Sequence, residues 1–175
     1  MIANVTLSTK EKLLLQDQKS HEEQCILKYE NYANLAVDSQ LKAIFRNNCQ
    51  KEREHLQTIN QLLNGQVPSM AGQSQVNTNP SQQNQQQNQQ PVAWPSSQQT
   101  AIDQSGKTGF NASDKDMCID MINTEKYVSG TYDTTIFECK DASVRDVLNH
   151  IQKEEQKHGE AIFAYMQSKG MYSAQ

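Results

Sequence analysis

The sequence predicts an all-α fold, a four-helix bundle made of two helical hairpins joined by a long crossover. Three observations predict it. The chain repeats itself without gaps at an interval of 103 residues, which carries Asp17 to Asp120, Glu22 to Glu125, Tyr29 to Tyr132, Asp38 to Asp141, Glu52 to Glu155, His55 to His158 and Ile59 to Ile162. Each half spaces its apolar residues by three and four, the period of a helix with one buried face, and no alternating Val/Ile/Thr-rich segment reads as a strand. Between the halves, residues 66–110 hold all four prolines, the only tryptophan and a run of Gln and Asn from Ser81 to Gln90. Such a stretch cannot bury enough apolar surface to offset its ordering entropy. The chain therefore divides into a first hairpin (1–65), a disordered Gln/Asn-rich crossover linker (66–110) and a second hairpin (111–175). At about 65 residues either hairpin alone would have a thin core, so the two are expected to form one bundle domain.

Each helix has its own start and stop signals. Ser8-Thr9-Lys10-Glu11 is a capping box, and the first helix should run from it to about Val37. Asp38-Ser39 supplies the N-cap of the second helix, which Asn64-Gly65 ends. Ser113 to Asp116 opens the third helix, which runs to about Lys140; Asp141 caps the fourth and Gly170 stops it. The predicted buried stripes are Leu14, Gln18, Glu22, Cys25, Tyr29 and Ala36 on the first helix, and Leu41, Ile44, Phe45, Asn48, Glu52, His55, Ile59 and Leu62 on the second. The third helix offers Met117, Met121, Glu125, Val128, Tyr132 and Cys139, and the fourth Val144, Val147, Leu148, Ile151, Glu155, His158, Ile162 and Tyr165.

Acids and histidines interrupt these apolar stripes. Glu52-Arg53-Glu54-His55 and Glu155-Gln156-Lys157-His158 both read Glu-x-x-His. Residues three apart on a helix share a face, so each motif offers a carboxylate and an imidazole to one side. One such motif is commonly a solvated face; two at equivalent points of a repeat form a pattern. Glu22 lies 16 residues before Asp38 and Glu52 lies 14 after it, and Glu125 and Glu155 stand likewise about Asp141. At ~1.5 Å per residue these arms are roughly 24 and 21 Å, so all four carboxylates reach one level near mid-helix. Four buried carboxylates repel one another and lose their hydration. Two divalent cations would offset both costs, as in dinuclear carboxylate bundles. The candidate ligands are Glu22, Glu52, His55, Glu125, Glu155 and His158, with two Fe or Mn ions per chain.

Composition narrows the function classes. A net charge of −4 and a pI of about 5.5 argue against a nucleic-acid partner. No apolar run approaches the ~20 residues of a membrane span, and Met1 to Lys12 lacks the basic start and apolar stretch of a signal peptide. Cytoplasmic synthesis without a signal peptide is the expectation. Cys25, Cys49, Cys118 and Cys139 have no C-x-x-C spacing, so they read as reduced thiols rather than a zinc or rubredoxin-type iron site.

Glu on the first helix, Glu-x-x-His on the second, Glu on the third and Glu-x-x-His on the fourth is a pattern that resembles the ferritin-like superfamily, including bacterioferritins and rubrerythrins. The resemblance implies that Glu52 and Glu155 bridge two metals, that Glu22 and Glu125 are terminal ligands, and that His55 and His158 each complete one ion. Tyr29 matches a tyrosine that flanks the ligands one heptad after the first, and Tyr132 is its repeat partner; the two are candidates for shaping a catalytic site. The segments His21-Glu22-Glu23-Gln24-Cys25, Glu30-Asn31-Tyr32-Ala33 and Gln40-Leu41-Lys42, with the paired hairpins and the Gln/Asn-rich insert, resemble the spore coat protein F family of endospore-forming bacteria. That resemblance implies a structural component of the spore coat, with other coat proteins or a second copy of itself as partners. The ferritin-like one implies an alternative, a di-iron or di-manganese oxidase or peroxidase in peroxide or oxygen detoxification or iron handling.

Overall fold

A computed structural model of the chain describes residues 3–68 and 112–172. Four long helices make up nearly all of it: α1 (Thr9–Leu35), α2 (Ser39–Leu63), α3 (Asp114–Glu138) and α4 (Ala142–Ser168). Their starts are the expected ones. Ser8 and Ser113 form full capping boxes with Glu11 and Asp116, and the Asp38 and Asp141 side chains accept backbone N–H groups of the following turns. These caps satisfy N–H groups that the first helical turn cannot pair for itself.

α1 packs on α2 and α3 on α4, forming the two hairpins. The hairpins join through α1 against α3 and α2 against α4. Both cross-hairpin pairs run antiparallel: Gln18 meets Thr135 and Lys28 meets Asp120 between α1 and α3, while His55 meets Glu155 and His158 meets Glu52 between α2 and α4. The repeat thus becomes a pseudo-two-fold axis. Its clasps come in related pairs. Glu11 Oε1 accepts the Lys140 backbone N–H at 2.8 Å, and the repeat-equivalent Asp114 accepts those of Val37 and Asp38 at 2.8 and 2.9 Å.

The described chain leaves the first hairpin at Pro68, beyond the C-terminus of α2, and re-enters at Ala112, beside the α1–α2 turn at the other end of that helix. The expected crossover linker (66–110) otherwise lies outside the described residues. Its first residues correct the expectation of no strand. Gln66–Val67 pairs antiparallel with Ala3–Asn4 in a two-residue ladder. Gly65, at φ +75°, turns the chain back after α2, its carbonyl accepts the Val5 N–H at 2.8 Å, and Val67 is buried. A two-residue ladder has no periodicity to read.

The stripes on α3 and α4 are buried as expected. On α1 the core residue is Leu15, not Leu14, because the run Leu13-Leu14-Leu15 hides the phase. Ile44 on α2 is only half-buried. The four cysteines are free thiols and all are buried. No described helix is long and apolar enough to cross a membrane.

Candidate metal centre

Six side chains from four helices converge at mid-bundle. Glu22 comes from α1, Glu52 and His55 from α2, Glu125 from α3, and Glu155 and His158 from α4; all are buried. They form two overlapping quartets, Glu22–Glu52–His55–Glu155 and Glu52–Glu125–Glu155–His158, and in each quartet the ligand-type atoms lie within 4.8 Å of one another. The central pair belongs to both. Glu52 turns Oε2 to His55 (3.3 Å) and Oε1 to His158 (2.9 Å), while Glu155 turns Oε1 to His55 (3.0 Å) and Oε2 to His158 (3.4 Å). Of the two histidines, Glu22 approaches only His55 (3.6 Å) and Glu125 only His158 (3.7 Å). The imidazoles lie nearly parallel, 5.6 Å apart.

These contacts are close without being satisfied. His158 Nδ1 and Glu52 Oε1 are 2.9 Å apart, yet neither has a hydrogen bond of acceptable direction, and Glu22 Oε2, Glu125 Oε2 and both Glu155 oxygens are equally orphaned. Buried polar atoms without partners are costly. Donors held 2.0–2.2 Å from a common ion stand about 2.8–3.6 Å from one another, close to the Glu–His separations of 2.9–3.7 Å here, although the atoms of each quartet spread over as much as 4.8 Å. The donor set, carboxylate oxygen with imidazole nitrogen, suits a divalent first-row metal. The residues are therefore of a kind that suits a metal, and the buried Glu/His clusters could hold one.

Electrostatics agree. Burial, reinforced by the charges of Glu155 and Glu52, pushes the Glu22 carboxyl well above the usual range despite His55; burial and the same two neighbours do so at Glu125 against the pull of His158. Burial disfavours a charged His158, but Glu125, Glu155 and Glu52 outweigh it and hold the ring up at about 11. His55 is raised likewise, its burial outweighed by Glu154, Glu155, Glu22 and Glu52. At Glu155 burial is outweighed by His158 and His55, and the carboxyl is depressed.

A hydrogen-bonded rim surrounds the six. The Tyr29 hydroxyl donates to Glu125, and the Tyr132 hydroxyl donates to Glu22, the same contact under the pseudo-two-fold. Both phenols are held well above their usual range, chiefly by burial and then by the acids they face. Asn48 Nδ2 donates to the Tyr29 oxygen at 3.1 Å. All eight residues singled out in the sequence thus meet at one site. Glu154 was missed. Its Oε2 lies 3.0 Å from His55 Nε2, and that contact holds its carboxyl down at about 2. The antiparallel pairing of α2 with α4 would have indicated it, since that register sets residue 154 opposite residue 55.

One comparison with known proteins bears on this site. Residues 113–175 match the Coat F domain. The Coat F match begins at the cap of α3 and covers α3 and α4, so it includes Glu125, Tyr132, Glu155 and His158. It agrees with the spore coat protein F resemblance read from the sequence. No curated protein and no solved structure matches the chain.

Proposed function

We propose that this chain is a structural protein of the spore coat whose helical bundle holds a dinuclear metal centre. The observation that carries the coat assignment is the Coat F domain over residues 113–175. The ferritin-like, dinuclear part of the reading is supported by the two quartets sharing Glu52 and Glu155. Each of these glutamates offers one oxygen to each quartet, the arrangement of a bridging carboxylate. Glu22 with His55, and Glu125 with His158, would complete the two ions. Metal binding would knit all four helices together and couple the hairpins. In that role the centre is a staple, and the partners are other coat proteins or further copies of the chain.

A second reading is favoured by the paired tyrosines. A bound pair of redox-active ions would supply Lewis acidity and electrons to an oxygen or peroxide oxidant. Tyr29 and Tyr132 would orient the terminal carboxylates Glu125 and Glu22 and hold a proton beside each. The packed layers around them, with Cys25, Met121, Ile59 and Ile162 all fully buried, exclude bulk water. This is the site of an oxidase or peroxidase as much as of a staple.

One measurement separates the readings, and a second tests the centre that they share. A fluorescent fusion in sporulating cells should surround the forespore. A diffuse vegetative protein whose deletion sensitises cells to peroxide and leaves spores intact would favour the oxidative reading. Anaerobic iron titration of the apo chain should saturate near two ions, and Glu52→Ala with Glu155→Ala should abolish uptake; equal uptake by the double variant would reject the dinuclear centre.

A further inference from the structure

The geometry points to two inequivalent metal half-sites, with Glu154 as the positioning residue that makes the half-site of His55 the tighter and the first to fill. The inference rests on the dinuclear reading and deepens it.

His55 turns Nδ1 into the cluster, 3.0 Å from Glu155 Oε1, and its Nε2 lies 3.0 Å from Glu154 Oε2. A carboxylate on Nε2 fixes the N–H there, leaves Nδ1 with its lone pair toward the cluster, locks the ring orientation and makes the imidazole a stronger donor. His158 also faces the cluster through Nδ1, but its Nε2 is buried and has no hydrogen-bond partner among the described residues. The six candidate ligands and the two tyrosines obey the pseudo-two-fold; the groups at Nε2 of the two histidines do not.

The repeat shows why. Stepping back 103 residues turns Glu154 into Lys51 and Lys157 into Glu54. The pair is reversed in charge: Lys51 Nζ rests on Glu54 at 2.7 Å, and Lys157 Nζ lies 4.0 Å from Glu154. The symmetry that brings a carboxylate to His55 therefore assigns a lysine to the corresponding position for His158. Glu154 is largely shielded, with a side chain 18% exposed, whereas Lys51 is 48% exposed. An anion held against one imidazole in a partly desolvated setting favours a cation on its far side. A lysine at the matching position cannot play that part.

The test uses the full-length apo chain and cobalt(II) under anaerobic conditions, followed by d–d absorption and calorimetry. The wild type should fill in two resolved steps. Glu154→Gln, which keeps the shape and removes the charge, should weaken the first step by about 10–100-fold, leave the second within about threefold, and shift the absorption envelope of the first cobalt. Glu154→Asp should recover part of the loss. Lys51→Glu should tighten the second step. A Gln variant that binds like the wild type, or that weakens both steps equally as a packing defect would, overturns the inference while leaving two bound ions intact. A wild type that takes up no cobalt would overturn the dinuclear reading and this inference with it.

Discussion

Filling the apo bundle with two divalent cations is expected to expel close to four protons. Burial and the neighbouring glutamates keep Glu22 and Glu125 protonated well above the usual carboxyl range, and the surrounding carboxylates keep protons on His55 and on His158, the latter up to about 11. To serve as ligands, the two carboxyls and the two imidazoliums must each give up one proton. Two doubly charged ions then replace four single charges, and the core's net charge does not change. Any other exchange would leave net charge among atoms a few ångströms apart, where each unit pair costs about 4 kcal/mol at an effective dielectric constant near 20. Proton release makes binding tighter as pH rises, by a factor of ten per pH unit for each proton, or ~1.4 kcal/mol. Four protons give about 10⁴ per pH unit for the two ions combined, in the window below the raised values, and the gain fades as pH climbs through them. The assay is calorimetry of anaerobic manganese(II) or iron(II) addition at about pH 6 in two buffers of different ionisation enthalpy, whose comparison counts protons. Two ions bound with fewer than about three protons released would refute the reasoning, because part of the site would then be pre-ionised rather than proton-filled.

Three further outcomes are expected. In the apo protein, stability should fall from neutral to alkaline pH: a raised folded-state value means extra bound protons, so the contribution of His158 is whole below 6.5 and gone near 11, and Glu22 and Glu125 act in the same direction above 4.5. A urea midpoint that stays flat between pH 6 and 9 would contradict this. Tyr132→Phe removes the only hydroxyl donor to Glu22 among the described residues and should destabilise the apo bundle by about 1–3 kcal/mol, and Tyr29→Phe, which removes the hydroxyl donor to Glu125 and also strips Asn48 Nδ2 of its acceptor, should cost at least as much; unchanged thermal melts would count against these contacts. Gly65→Ala places a Cβ 2.8 Å from the Val5 carbonyl oxygen at a φ of +75° and should cost about 1–2 kcal/mol, read as a lower melting temperature and faster amide exchange at Val5.

Much of this architecture was legible in the chain. Ser8, Asp38, Ser113 and Asp141 announce four helix starts because a capping side chain acts within three residues of itself. The six candidate ligands were legible because charge on an apolar stripe is improbable unless something offsets it, and because the repeat shows them twice. What was not legible depended on neighbours distant in sequence. Glu11 reads as half of a capping box, but it is also a buried acceptor for the Lys140 N–H, 129 residues away. Leu14 and Leu15 cannot be ranked within a run of three leucines until α3 covers one face of α1. The ladder of Ala3–Asn4 with Gln66–Val67 depends on Gly65 turning the chain beside Val5.

By itself the sequence determined the four helices, their caps, most of their buried faces and the level at which four carboxylates meet. Each of these follows from local spacing and from the cost of burying charge. Only the tertiary structure decided how the hairpins pair and what each candidate ligand faces. Antiparallel contact of α2 with α4 lets Glu52 and Glu155 each turn one oxygen to His55 and the other to His158, and sets Glu154 against His55, while antiparallel contact of α1 with α3 crosses Tyr29 to Glu125 and Tyr132 to Glu22. The reason is physical: a helix fixes which side chains share its face, but the partner of each side chain depends on how one helix is rotated and shifted against another, and that is settled by the packing of the whole core at once.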